Sequence, residues 1–198
     1  MPINIKIGVF AWKGGVGKTT VAFLIYSALR KFYNLDVVSY DKQKDLLRSV
    51  KNLDSVSPEN ANINITVQDY DSSIDNLPLL AENDINIYVL QAESYSVINM
   101  MSIIRQIPKC VILVNKYKPD QDKTLKQLKP EMDKIGIKAF NTKLKYSDGI
   151  VIMMNHSVVK SSFIGFEKLP SKYSKIKQNI YTFADEVKIT IDGIANLI

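Results

Sequence analysis

Nine consecutive residues near the start of the chain, Trp12-Lys13-Gly14-Gly15-Val16-Gly17-Lys18-Thr19-Thr20, have the types and spacing needed to bind a polyphosphate. Glycines at 14, 15 and 17 let the backbone adopt positive φ and bring its N–H groups around an anion. A helix starting near Lys18 would point its positive dipole end at the same charge. Lys18 is then placed to bridge the β- and γ-phosphates of a nucleotide, and the Thr19 hydroxyl to coordinate Mg2+. A glycine-rich turn without a ligand is the plain alternative, but such a turn has no need of Gly-Lys-Thr directly after a buried strand. The usual phosphate-loop pattern starts on glycine, and here Trp12 holds that position.

The elements that must carry this loop can be read from periodicity. Apolar runs of about five to seven residues alternate with longer segments of helical spacing, which predicts an α/β fold: a mostly parallel, twisted sheet with helices on both faces. Strands are expected near residues 3 to 10, 35 to 40, 63 to 68, 85 to 91, 109 to 115 and 136 to 140. Helices are expected near 18 to 32, 42 to 51, 72 to 82, 94 to 106 and 121 to 134. From about residue 170 a last helix carries Tyr173, Ile176, Ile180, Phe183, Ala184, Val187 and Ile191 on one face, which should pack back onto the sheet. Residues 52 to 62 are polar and turn-rich, with Pro58, and read as a loop.

Composition sets the outer bounds. A length of 198 residues predicts one domain over 1–198, and 46% apolar against 23% charged residues excludes a disordered chain. The single cysteine, Cys110, cannot form an intramolecular disulfide, and its apolar run Cys110-Val111-Ile112-Leu113-Val114 predicts a buried, inert thiol. That suits a reducing cytoplasm. No signal-peptide pattern and no membrane-length apolar stretch is present, so a cytoplasmic location is expected. The one histidine, His156, leaves no material for a histidine-based metal cluster or triad. The net charge of +6 is uneven: residues 1–100 hold 9 basic and 11 acidic side chains, and residues 101–198 hold 17 and 9.

Lys13 doubles the lysine of the loop, and Lys13-Gly14-Gly15-Val16-Gly17-Lys18-Thr19-Thr20 resembles the deviant Walker A loop of the ParA/MinD family of P-loop ATPases. The resemblance implies that Lys13 reaches across a dimer interface to the partner's phosphates. It also implies that Val37-Val38-Ser39-Tyr40-Asp41-Lys42-Gln43 is the family's second motif, with Asp41 helping to position the attacking water. A carboxylate at the carboxyl end of a strand beside the phosphate loop is where hydrolysis needs one. Ser39 stands where the family has a first aspartate and Lys42 where it has proline; a helix N-cap is the local alternative for Asp41. The third motif falls at Ile63 to Asp69, making Asp69 a second-shell Mg2+ ligand, with Asp71 or an exposed acidic turn as alternatives. Tyr88-Val89-Leu90-Gln91-Ala92-Glu93 resembles a further ParA segment, and Asn115 takes the place of an asparagine touching adenine, or starts a turn.

Lys168, Lys172, Lys175 and Lys177 crowd the start of the last helix, where they would attract DNA phosphates without reading sequence, or form a solvated lysine face. The tail has only Lys188 against Asp185, Glu186 and Asp192, unlike the basic membrane helix of MinD proteins, so no membrane is expected as a partner. The resemblance implies a short ParA-type ATPase of plasmid or chromosome partition. ATP would build a homodimer that coats DNA non-specifically, and a small centromere-binding partner would stimulate hydrolysis and release. At this length sequence-specific DNA reading is expected to come from the partner. Two other readings stay open: an ATP-dependent scaffold for another cargo, and a small-molecule enzyme like the dethiobiotin synthetases, which generally lack a lysine matching Lys13.

Overall fold

Among the described residues six strands, β1 (Ile3–Phe10), β2 (Tyr33–Ser39), β3 (Asn60–Asp69), β4 (Ile85–Leu90), β5 (Cys110–Val114) and β6 (Lys138–Ala139), form one sheet. Its order is β2-β3-β1-β4-β5-β6 and every pair is parallel. The coordinates are a computed structural model that describes residues 1–42, 44–51, 53, 55–92, 101–145, 147, 150 and 171–197. β1 is central, with β3 on one side and β4 on the other, so the chain reverses its direction of winding at the end of β1. Loops at such a switch point open a crevice beyond the carboxyl ends of the strands.

Parallel strands need covering on both faces, and alternation along each strand serves two cores. Ile5, Ile7 and Val9 of β1 face a core closed by α1 (Lys18–Leu29), α2 (Asp45–Lys51) and the long α5 (Ser174–Ala195). Phe10, Tyr88 and Leu90 face a second core with Leu80 of α3 (Leu77–Leu80), Ile104, and Leu128 and Met132 of α4 (Asp122–Lys134). Ile180, Phe183, Ala184, Val187 and Ile191 of α5 are buried in the first core, so the expected apolar face of the last helix packs on the sheet.

Several boundaries move for local reasons. The helix expected from residue 42 starts at Asp45, because Lys44 adopts φ 53° and its N–H closes a turn on the Asp41 carbonyl. Asp41 therefore lies four residues upstream of α2 and is not its N-cap. The helix expected over 72 to 82 shrinks to a 3-10 turn, Ile74–Asn76, and α3, since Asp71 and Asn76 tie the preceding loop together. β3 begins at Asn60, inside the expected loop, because the backbone N–H groups of Glu59 and Asn60 donate to Lys31 and Phe32 and extend the pairing with β2. Residues 101–104 of the helix expected over 94 to 106 are helical, and residues 93–100 lie outside the described part.

Candidate phosphate-binding site

The glycine-rich loop leaves the carboxyl end of β1 and enters α1 through Gly17, which caps the helix in the left-handed region at φ 93°. Gly15 is also left-handed, at φ 74°, whereas Gly14 is not among the positive-φ residues. At Gly17 the requirement is double: a Cβ would stand 2.5 Å from Asn115 Nδ2. That amide nitrogen donates to the Val16 carbonyl at 2.8 Å, and Lys116 Nζ donates to the Gly15 carbonyl at 2.6 Å. Two residues just beyond β5 thus hold the loop from behind. The predicted Asn115 does reach the loop, by a backbone brace that its sequence neighbourhood does not announce.

Lys18, at the first turn of α1, is only 8% exposed, and its ammonium donates to Ser72 Oγ at 2.8 Å. Burial lowers its pKa, against the opposing pull of Asp69, Asp41 and Asp71 in that order. All three acidic residues singled out from sequence therefore lie close enough to feel the same ammonium. Thr19 Oγ1 donates to Asp69 Oδ2 at 2.8 Å. Asp69 is fully buried, and burial pushes its carboxyl up to about 6, with the Thr19 bond pulling the other way.

This pair suits a divalent cation. The Thr19 hydroxyl donates to Asp69 Oδ2 and so keeps its oxygen lone pairs for another partner, while Asp69 Oδ1 is buried with no hydrogen-bond partner among the described residues. A buried carboxylate oxygen left over beside a threonine hydroxyl is the donor set that a hydrated Mg2+ uses. Asp71 is placed otherwise: its Oδ1 accepts from the Ser73 N–H at 2.9 Å and from Asn76 Nδ2 at 2.6 Å, closing a turn.

Asp41 follows β2, whose last residue Ser39 is in register with Asp69, and the Tyr40 N–H donates to the Asp69 carbonyl at 2.8 Å. Ser39 Oγ is buried with no partner among the described residues. Lys13 is exposed at the loop's leading edge, beside the exposed Trp12. Val16 is buried, and Gly14 and Gly15 are exposed. Thr20 lies in the first turn of α1, and a Cβ on Gly17 would approach its Cβ to 3.9 Å.

The lysines around the start of α5 look different. Lys172 and Lys175 are exposed around the start of α5, with Lys172 Nζ 5.0 Å from the centre of the Tyr173 ring. Lys177 is half-buried, and Lys168, Gln43, Glu93 and His156 lie outside the described residues. Upstream, Lys143 is committed to Asp122 at 2.6 Å. Sequence reasoning missed Ser72 and Lys116, both polar loop residues with no periodic or motif signal of their own. It also missed the stacking of Tyr40 on Tyr70, with ring centres 4.7 Å apart.

The description "CobQ/CobB/MinD/ParA nucleotide binding domain" matches residues 7–158. No curated relative matches the chain in sequence. Similar solved structures include a ParA family ATPase from Chlorobium tepidum TLS, 12% identical with TM-score 0.58, covering 91% of this chain and 98% of that one. A Borrelia burgdorferi protein described as a plasmid partition protein and bound to AMPPNP is 16% identical with TM-score 0.59, covering 94% and 100%. The pNOB8 ParA bound to nonspecific DNA is 12% identical with TM-score 0.60, covering 98% and 99%.

Proposed function

The chain belongs to the CobQ/CobB/MinD/ParA nucleotide-binding family, and on that premise we propose that it is a ParA-type ATPase of plasmid or chromosome partition, built as one domain over residues 1–198. The loop from Gly14 to Thr20 would hold ATP, with Lys18 on the β- and γ-phosphates and the base on the Asn115 side. Mg2+ would be held by Thr19 Oγ1, with Asp69 Oδ1 receiving a hydrogen bond from the ion's water shell; the ion neutralises phosphate charge. Asp41 would orient the attacking water.

The observation that carries this reading is an exposed Lys13 immediately ahead of a phosphate loop whose far end is the Thr19–Asp69 pair. Being exposed, Lys13 can serve a second copy of the chain bound face to face across the two nucleotides. The ATP-bound homodimer would then bind DNA non-specifically through lysines near the start of α5, Lys168, Lys172, Lys175 and Lys177. A small centromere-binding partner would stimulate hydrolysis and so release it. Proteins of this fold bound to AMPPNP and to nonspecific DNA lend the proposal support. A second reading, a slowly hydrolysing scaffold for another cargo, is favoured by one observation: the buried hydroxyl of Ser39 where the second motif expects a carboxylate.

Light scattering of the full chain with Mg2+ and AMPPNP tests the dimer. Lys13→Ala is expected to leave a monomer that still binds nucleotide; an intact nucleotide-dependent dimer would overturn the sandwich arrangement. DNA retention by that dimer should weaken steeply from low to moderate salt and drop further in Lys172→Glu with Lys175→Glu. Retention indifferent to both would remove the DNA assignment and leave the scaffold reading.

A further inference from the structure

Lys18 is touched by a group from outside its own loop. Ser72 lies three residues beyond the end of β3, in a segment that the sequence pattern treats only as a departure, yet its hydroxyl accepts the Lys18 ammonium at 2.8 Å. The segment is braced on both sides of Ser72. Before it, Tyr70 is fully buried, with its ring stacked on Tyr40 at 4.7 Å and 10°. Across it, the Asp71 carboxylate accepts from the Ser73 N–H and from Asn76 Nδ2 on the far side, and Asn76 is itself 8% exposed.

Because Ser72 Oγ accepts from Lys18, its own proton points elsewhere, and no described residue accepts it. A hydroxyl oriented by a lysine and left with a proton to give is suited to an anion that the same lysine binds. The glycine-rich loop offers its N–H groups to a nucleotide's inner phosphates whatever the nucleotide's length. Ser72 comes from the loop after a different strand, β3, and meets Lys18 at its ammonium.

We infer that Ser72 is a specificity-determining residue for the terminal phosphate: it shares Lys18 with that group and donates its own proton to it, so that the site prefers a nucleoside triphosphate to a diphosphate. The inference rests on the reading of the loop as an ATP site. It places a tri-versus-diphosphate discriminator on the β3–α3 segment, next to the aromatic stack that leads to Asp41.

The test is calorimetric titration of the full chain with Mg2+ and either AMPPNP or ADP, at concentrations where it stays monomeric. Ser72→Ala should weaken AMPPNP binding on the order of tenfold and leave ADP within about twofold, and Ser72→Thr should restore the preference. Unchanged or equal losses for both nucleotides in Ser72→Ala would overturn the role of Ser72 alone, ADP binding having shown that the variant folds. If the unsubstituted chain bound neither nucleotide, the ATP-site reading would fall and this inference with it.

Discussion

Two buried polar clusters lie on opposite faces of the same sheet, separated by the alternation of adjacent residues at the end of β3. On one face Asp69 meets Thr19, and beyond them Lys18 meets Ser72. On the other, Gln68 accepts from the Tyr70 hydroxyl, Asn83 Nδ2 donates to Tyr70 and to Asn86, and Asn86 Nδ2 donates to the carbonyls of Leu80 and Pro108 at 2.8 Å. Each cluster leaves one buried acceptor without a described partner, Asp69 Oδ1 and Asn83 Oδ1. Burial and an orphan atom therefore do not by themselves mark a site. The amide cluster is neutral and its bonds run back to backbone, so it fastens β3, β4 and the α3 turn. The Asp69 cluster carries a carboxyl and an ammonium and stands at the loop that holds the left-handed Gly15 and Gly17, so its leftover capacity faces a candidate ligand site.

A matched pair of glycines should separate these roles. Gly17→Ala puts a Cβ 2.5 Å from Asn115 Nδ2 at φ 93°, and is expected to lower nucleotide affinity by on the order of 100-fold at a stability cost of about 1–2 kcal/mol. Gly8→Ala puts a Cβ 2.3 Å from Asn83 Nδ2 and 2.5 Å from Asn86 Oδ1. It should cost about 2–4 kcal/mol of stability, while nucleotide affinity in the folded fraction hardly moves. Urea unfolding and nucleotide titration of both variants decide the matter, and the same profile from each would erase the distinction.

Acid titration sharpens the difference further, since only one cluster carries an ionisable carboxyl. In the folded chain Asp69 is held up at about 6 by burial, above the ordinary 3.8. The folded state thus binds the proton more tightly than the unfolded one. The stabilisation is fully present below about pH 4 and is lost as pH rises through about 6, by roughly 3 kcal/mol in chelator without nucleotide. Asp69→Asn should flatten that part of the stability profile. A profile that keeps its slope in the variant would move the effect to another group.

The smallest effect is expected where the two clusters meet. Tyr70 belongs to the amide cluster through its hydroxyl and is stacked on Tyr40, the neighbour of Asp41. Tyr40 is 39% exposed, so Tyr40→Ala should destabilise by only about 1 kcal/mol, with Tyr40→Phe close to the parent. Thermal melts of the two variants check this, and a loss as large in Phe as in Ala would place the effect in the hydroxyl and not in the stack.

Much of this was legible along the chain. β1 matches its expected bounds, and α1 starts at the expected Lys18, because a largely apolar strand and a glycine-capped helix leave strong local patterns. The buried face of α5 was legible through spacings of three and four. Boundaries failed where polar side chains overrode periodicity, as with Asp71 and Asn76 shortening the helix expected from residue 72. Asp41 was placed near the site but not at the start of α2, since the left-handed Lys44 intervenes.

By itself the sequence determined where the phosphate loop lies, which strand leads into it and which carboxylates were candidates, because glycine spacing and apolar periodicity are local properties of the chain. Only the tertiary structure put Asp69, and not Asp71, on the Thr19 hydroxyl and brought Asn115, Lys116 and Ser72 to the loop. Those contacts join residues from 50 to 101 positions apart, and strand order, together with which face each residue takes at a strand's end, is what sets them.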